Sequence, residues 1–390
     1  MERMLPKTTR TSYEGVIDAD GHINEPHDLW EKYIDPQFRD RAIHIGIDTD
    51  GRERMQVGGR PSKYLNADLL ARGRGMGFTF EARDELTRIP YKDSLPFGAS
   101  DPKERVQLLD FEGLRKAFIY PTISLEWESE VTDLELATAY TRAYNRWVVD
   151  FCAGSNGRLI PIAHICLTDG RMEVEELERA VKAGCKGIFI APHTLTDKPH
   201  AHKDNDRFWS AVQDLDVPVA IHPVAEPPKH RVYQRFREMY RWGEWWVDIL
   251  GGQGPQQAFL ALFQYGLFDR FPKIKVVMLE SGAGWIGHML DRMDAAYDTP
   301  LGRSVPLKEK PSFYFQRQCW ISADPDERAV SYLIEYLGAD KFFWATDYPH
   351  DDHTLGYIHA LDTLVSPLSE RARRGILGEN VARVYNVPMN

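Results

Sequence analysis

The chain has 390 residues, 43% of them hydrophobic and 27% charged, enough apolar content for a large core and too much for wholesale disorder. Acidic residues outnumber basic ones by 58 to 48, a net charge of −10 with His neutral, which argues against a nucleic-acid sleeve or an anionic-membrane binder. Four Cys without a C-x-x-C pair point to neither a zinc ribbon nor a disulfide scaffold, and no apolar run reaches the ~18 residues of a membrane span.

The N-terminal MERMLPKTTRTSYEG lacks the apolar stretch of a secretory signal, so a cytoplasmic enzyme is expected. Beyond it, short apolar runs alternate with helix-like stretches. The first predicted strand is 16–19. A helix over 102–112 leads to strand 116–120, and a long helix over 133–152 leads to strand 158–165. The rhythm then repeats: helix 172–183 and strand 186–191, helix 206–215 and strand 217–221, helix 256–268 and strand 274–279. Helix 285–297 precedes strand 318–322, and helix 325–337 precedes strand 341–345. Helical segments near 369–377 and 380–384 close the chain.

Eight strands with intervening helices read as parallel βα units. Their continuous apolar runs suit strands buried on both faces. The expected fold is α/β, a (β/α)8 TIM barrel. An open doubly wound sheet would want a glycine-rich phosphate loop after strand one, and Asp20-Gly21-His22 is not that loop. Two stretches break the rhythm: residues 30–101 after strand one, and the aromatic-rich residues 224–255 after strand five. Both leave the C-terminal ends of strands, where barrel enzymes build their sites, so residues 1–390 read as one barrel domain with two insertions.

The chemistry gathers at the same ends. Asp20, His22 and Glu25 follow strand one, His193 follows strand four, His222 ends strand five, Glu280 ends strand six and Asp347 follows strand eight. Singly, each has an ordinary explanation, such as a turn carboxylate, a cap or a core histidine. Together, seven metal-ligating side chains at the ends of five strands converge on one barrel mouth. Asp347, Glu280 and His193 are the candidate catalytic residues among them.

The order of D-x-H after strand one, His-Pro after strand five, E-S-G-A-G-W after strand six and T-D-Y-P-H after strand eight resembles the amidohydrolase superfamily. The nearest branch is similar to the group that contains aminocarboxymuconate-semialdehyde decarboxylase and resorcylate decarboxylase. The resemblance implies a divalent metal on Asp20, His22, His222 and Asp347, with Asp347 also an acid or base. The sequence departs from the family at Asp20, where the first motif usually has His or Glu, and at Glu280, where His is usual.

Seven candidate ligands exceed the three protein ligands and water of one catalytic zinc. One or two metals per chain, zinc, manganese or iron, remain open, and the carboxylates favour the harder ions. The first expectation is a hydrolase or non-oxidative decarboxylase of a small, aromatic or unsaturated organic acid or amide. An oxygen-activating dinuclear Fe/Mn or Fe/Fe monooxygenase is the alternative. It needs Asp20, Glu25, His193, His222, Glu280 and Asp347 all as ligands. A non-catalytic barrel subunit of a heteromeric enzyme is the third reading.

On the substrate side, Trp242 and Trp246 share a helical face in the second insertion, with Arg241 beside them. They are expected to wall an organic substrate, and His350 to reach it from the strand-eight loop. The expected partner is a small molecule, not nucleic acid or membrane. A homodimer, or a hetero-oligomer with a paralogous barrel, fits the long insertions.

Overall fold

The computed structural model describes residues 3–168, 170–231 and 249–389. Eleven strands occur among them: β1 (Ile17–Ile23), β2 (His44–Ile47), β3 (Glu53–Val57), β4 (Arg60–Asn66), β5 (Lys116–Pro121), β6 (Leu159–His164), β7 (Gly187–Ile190), β8 (Pro218–Ile221), β9 (Lys275–Met278), β10 (Cys319–Ala323) and β11 (Phe342–Trp344). β1 and β5 to β11 form one parallel sheet whose spatial order is the order of the chain. Its two ends meet. The Asp347 N–H donates to the Asp20 carbonyl at 3.0 Å, and the His22 N–H to the Tyr348 carbonyl at 2.9 Å. The predicted eight-stranded α/β barrel is therefore present, and each predicted strand overlaps an observed one.

Every residue of β1 and β5 is buried, as it must be for strands with barrel core on one face and helices on the other. Helices Pro102–Glu112, Leu134–Ala153, Met172–Ala183, Asp206–Leu215, Gln253–Gln264, Trp285–Tyr297 and Val330–Leu337 supply the outer layer. The first shows how local chemistry sets the boundaries. Asp101 caps it by accepting from the Lys103 and Glu104 N–H groups at 2.8 and 3.0 Å, Pro102 opens it, and Gly113 ends it at φ 81°. Those are the start and stop signals expected of a helix.

Three helices depart from expectation. The predicted 256–268 helix ends at Gln264 and restarts as Leu267–Arg270, because Gly266 turns the chain at φ 64°. Regular α-helix begins at Val330 rather than 325. A further helix, Pro311–Gln318, precedes β10. Residues 30–101 hold more structure than their Gly- and Arg-rich composition suggested. β2, β3 and β4 form an antiparallel sheet, and Val57 and Arg60 pair across the two-residue turn Gly58-Gly59, whose φ values of 65° and 79° glycine alone adopts freely. All four Cys are buried and free, in keeping with the absence of a disulfide scaffold expected from the sequence. No helix of the described residues is long and apolar enough to cross a membrane.

Candidate metal centre and its pocket

Asp20 and His22 stand two residues apart near the end of β1, so they share a face. The register of β1 against β5 shifts between Asp18 and Gly21. A side chain at Gly21 would press on Asp18 and Arg105, with a Cβ 2.5 and 2.8 Å from their nearest atoms. The glycine lets the buried Arg105 guanidinium reach the His22 carbonyl at 2.8 Å. Asp18 in turn accepts from the Thr346 N–H at 3.0 Å and its hydroxyl at 2.8 Å. The first strand is thereby fastened to the segment that carries Asp347.

His222 directly follows β8, Glu280 lies two residues beyond β9, and Asp347 lies three beyond β11. Glu280 and Asp347 both adopt left-handed backbone, with φ 40° and 53°. That conformation costs a side-chain-bearing residue about 1–3 kcal/mol and persists where the surroundings enforce it. Glu327 does so for the loop after Glu280, accepting from the Ala283 N–H at 2.8 Å and the Gly284 N–H at 3.0 Å.

These side chains converge. His22 Nε2 lies 3.0 Å from Asp347 Oδ1, 3.4 Å from Asp20 Oδ1 and 3.6 Å from Glu280 Oε2. His222 Nε2 lies 3.0 Å from Glu280 Oε2 and 3.5 Å from Asp20 Oδ2. Two overlapping groups, Asp20–His22–His222–Glu280 and His22–Glu280–Asp347–His350, each bring four ligand atoms within 4.8 Å of one another. His350 is held between Asp347 Oδ1 and the Thr122 hydroxyl, 2.9 Å from each.

The imidazole tautomers follow from their other contacts. Nδ1 of His22 meets the Pro121 carbonyl at 2.5 Å, and Nδ1 of His222 meets the Pro223 carbonyl at 2.6 Å. A carbonyl only accepts, so both Nδ1 atoms carry hydrogen. Both Nε2 lone pairs then face inward, 3.3 Å apart, and both oxygens of Asp20 and of Asp347 are buried without a hydrogen bond. Facing lone pairs among buried carboxylates call for a cation. The donor set of two imidazoles, each fixed by a carbonyl behind it, and several carboxylates fits a divalent metal.

The electrostatics of the protein by itself show the same demand for positive charge, met by protons on the rings. Burial alone would lower the imidazole pKa of His22, but the charge of Asp347 and the contacts with Asp20 and Glu280 push it well above the ordinary value. His222 is likewise raised to about 9, against burial, by Asp20 and Glu280. Burial would raise Glu280, but the two imidazoles hold it well below the carboxylate range. Asp347 moves the other way, pushed up by burial and by neighbouring Asp352 and Glu280.

Two predicted ligands stand apart. The Glu25 carboxylate accepts from three successive backbone N–H groups, those of Thr122 and Ile123 on one oxygen at 3.1 and 2.8 Å and Ser124 on the other at 2.9 Å. It anchors the loop after β5, and both oxygens are engaged there. His193 lies beyond β7, past Pro192, and its ring stacks on His230 with centroids 5.9 Å apart. Among the described residues neither belongs to a metal-capable group, although both were expected as ligands and His193 as a catalytic residue. The six-ligand dinuclear arrangement loses two members with them. Trp242, Trp246 and Arg241 lie outside the described residues.

The cluster opens on a cavity of about 490 Å³. Glu280 and His350 reach it from the metal side. Met55, Leu69, Leu70 and Tyr91 of the 30–101 stretch, with Leu125 and Val224, give it an apolar wall, and Arg72, Glu126 and Asp352 are among its polar groups. His350 is thus where a substrate-facing residue was expected. Thr122, Glu126, Arg105 and Glu327 were not foreseen. Only Thr122 and Glu126, just past strand 116–120, stood where the strand-end rule looks for such residues.

A family model described as Amidohydrolase matches residues 114–387. A gamma-resorcylate decarboxylase from Polaromonas sp. (strain JS666 / ATCC BAA-500) is 25% identical over 297 residues, 73% of this chain and 86% of that protein. Among solved structures, an amidohydrolase from Mycobacterium avium subsp. paratuberculosis K-10 superposes with a TM-score of 0.78 at 21% identity, covering 96% of this chain and 99% of the other. A dihydroxybenzoic acid decarboxylase from Polaromonas sp. JS666, with bound manganese and the inhibitor 2-nitroresorcinol, gives a TM-score of 0.66 at 19% identity, covering 96% and 97%.

Proposed function

The chain belongs to the amidohydrolase family, and from that premise we propose that it is a metal-dependent carboxy-lyase removing carbon dioxide from a small aromatic acid without an oxidant. The observation that carries this reading is the buried convergence of His22, His222, Asp20, Glu280 and Asp347 beside a cavity with an apolar wall. The Polaromonas relative and the manganese-bound neighbour, both decarboxylases by name, support the same chemistry.

His22, His222, Asp20 and Asp347 are the residues that would hold the cation, with Glu280 in contact with both imidazoles. Manganese suits so many carboxylates better than zinc does. A divalent ion there supplies a Lewis acid that draws charge from a substrate oxygen. The rest falls to the chain. The carbonyls of Pro121 and Pro223 fix the two rings. The apolar wall fits a ring and excludes water. With Oδ1 turned to the imidazoles of His22 and His350, Asp347 holds at Oδ2 the proton that takes the place of the lost carboxyl group on the ring carbon, and His350 orients that carboxyl.

The test is carbon dioxide release from a panel of hydroxybenzoates under argon, using chelator-stripped protein and the same protein reloaded with manganese. Release only after reloading, with no need for oxygen, is expected. A requirement for oxygen, or hydrolysis of an amide or ester without carbon dioxide, would sink the proposal.

A further inference from the structure

We propose that Glu126 is a specificity-determining residue of the cavity, its carboxyl accepting a hydrogen bond from a hydroxyl or amino group on the substrate ring other than the groups that reach the metal cluster. The inference rests on the carboxy-lyase reading above.

Glu126 is rigidly mounted. The preceding turn, Thr122 to Ser124, is clamped by the Glu25 carboxylate. The Leu125 carbonyl accepts from the Ala225 N–H at 2.9 Å, tying the turn to the loop after β8. Glu126 itself donates its N–H to the Ile123 carbonyl at 3.1 Å and accepts at its own carbonyl from the Ser129 hydroxyl at 2.8 Å. These backbone bonds tie the turn down on both sides, so the side chain is presented from a fixed base.

Its carboxyl is the exception. The side chain lines the cavity, yet among the described residues it makes no hydrogen bond and no ion pair. Of the other acids in the lining, Asp326 is exposed to solvent and four face side chains of the protein. Glu280 meets both cluster imidazoles, Asp351 pairs with Arg72 and Arg83, and Asp324 and Asp352 lie 4.0 and 3.9 Å from His353. A carboxyl that faces the cavity with no hydrogen-bond partner among the described residues is free to take a donor from a ligand there. A carboxylate in such a place selects a donor, and it rejects a ring carrying a methyl group there, because the acceptor is then desolvated and unpaired. Burial, offset in part by Arg72 and Arg231, raises its pKa to about 7, as an acceptor short of partners should show.

The experiment uses manganese-loaded protein and 2-hydroxybenzoates bearing a hydroxyl, an amino or a methyl group at ring position 4 or 5. Dissociation constants are measured by calorimetry for the wild type, Glu126→Gln and Glu126→Ala, with metal content recorded for each. The wild type is expected to favour a hydroxyl- or amino-bearing probe over its methyl counterpart by tenfold or more. Glu126→Ala should erase that preference at full metal content, and Glu126→Gln, which keeps an acceptor oxygen, should retain part of it. Equal binding of donor and methyl probes by the wild type, or a preference that survives Glu126→Ala, would overturn the assignment. The two readings fail separately. Preference without carbon dioxide release overturns the carboxy-lyase and supports Glu126 as the selector. Release without preference does the reverse.

Discussion

A buried carboxylate costs several kcal/mol unless it is paired or bound, and Asp20, Glu280 and Asp347 share two imidazoles among them. Removing one should therefore be felt first in metal binding. Asp20→Asn is expected to lower manganese affinity at least tenfold, read as metal retained after dialysis; undiminished retention would remove Asp20 from the site. A second buried acid titrates outside the metal-capable cluster. Burial raises Glu112 from 4.5 to about 8, although Tyr357 donates a hydrogen bond to it. The folded state thus keeps a proton that the unfolded chain releases near 4.5. The stability linked to this group is fully present below that pH and is lost as pH rises to about 8. Glu112→Gln keeps the acceptor for Tyr357 and removes the titration. Its stability relative to wild type should rise by up to about 1.4 kcal/mol per pH unit across that window. Urea melts at several pH values check the slope, and parallel curves would refute it.

The β5 loop is the element on which the site leans, because it carries both Thr122, partner of His350, and Glu126. Glu25 holds it by three N–H groups, each of which would cost about 1–3 kcal/mol if left buried without an acceptor. Glu25→Ala should therefore destabilise the protein by roughly 3 kcal/mol or more while metal affinity, measured on the folded protein, stays near that of the wild type. Loss of the metal from a fully folded variant would restore Glu25 as a ligand. Here the limits of reading elements from sequence are concrete. The apolar runs that become β5 to β11 are local features, and their positions were legible. The fate of Glu25 was not, since its three donors lie 97 to 99 residues away. His193 looked equivalent to His222 by its place after a strand. The difference is that His222 directly follows the last residue of β8, whereas His193 stands three beyond β7 and past a proline. The β2–β4 sheet was hidden because its strands mix polar and apolar residues, although the Gly-Gly pair at its hairpin was a usable signal.

At the scale of the whole molecule, a ligand that binds only the folded barrel stabilises it by mass action, by about 2.7 kcal/mol at a hundredfold excess over its dissociation constant. Manganese should raise the melting temperature of the stripped wild type by several degrees and that of Asp20→Asn by less; equal shifts would mean that the ion binds elsewhere. The sequence by itself determined the parallel βα order, the barrel, and the strand ends at which Asp20, His22, His222, Glu280, Asp347 and His350 stand. Each of those depends on local periodicity and on the rule that a barrel gathers its strand ends at one mouth. Only the tertiary structure decided which acids face the metal cluster and which brace the scaffold. A carboxylate takes its role from the donors that surround it, and those arrive from distant segments. Glu25 and Glu280 are the same residue type at comparable strand ends, yet one meets three backbone amides and the other two imidazoles.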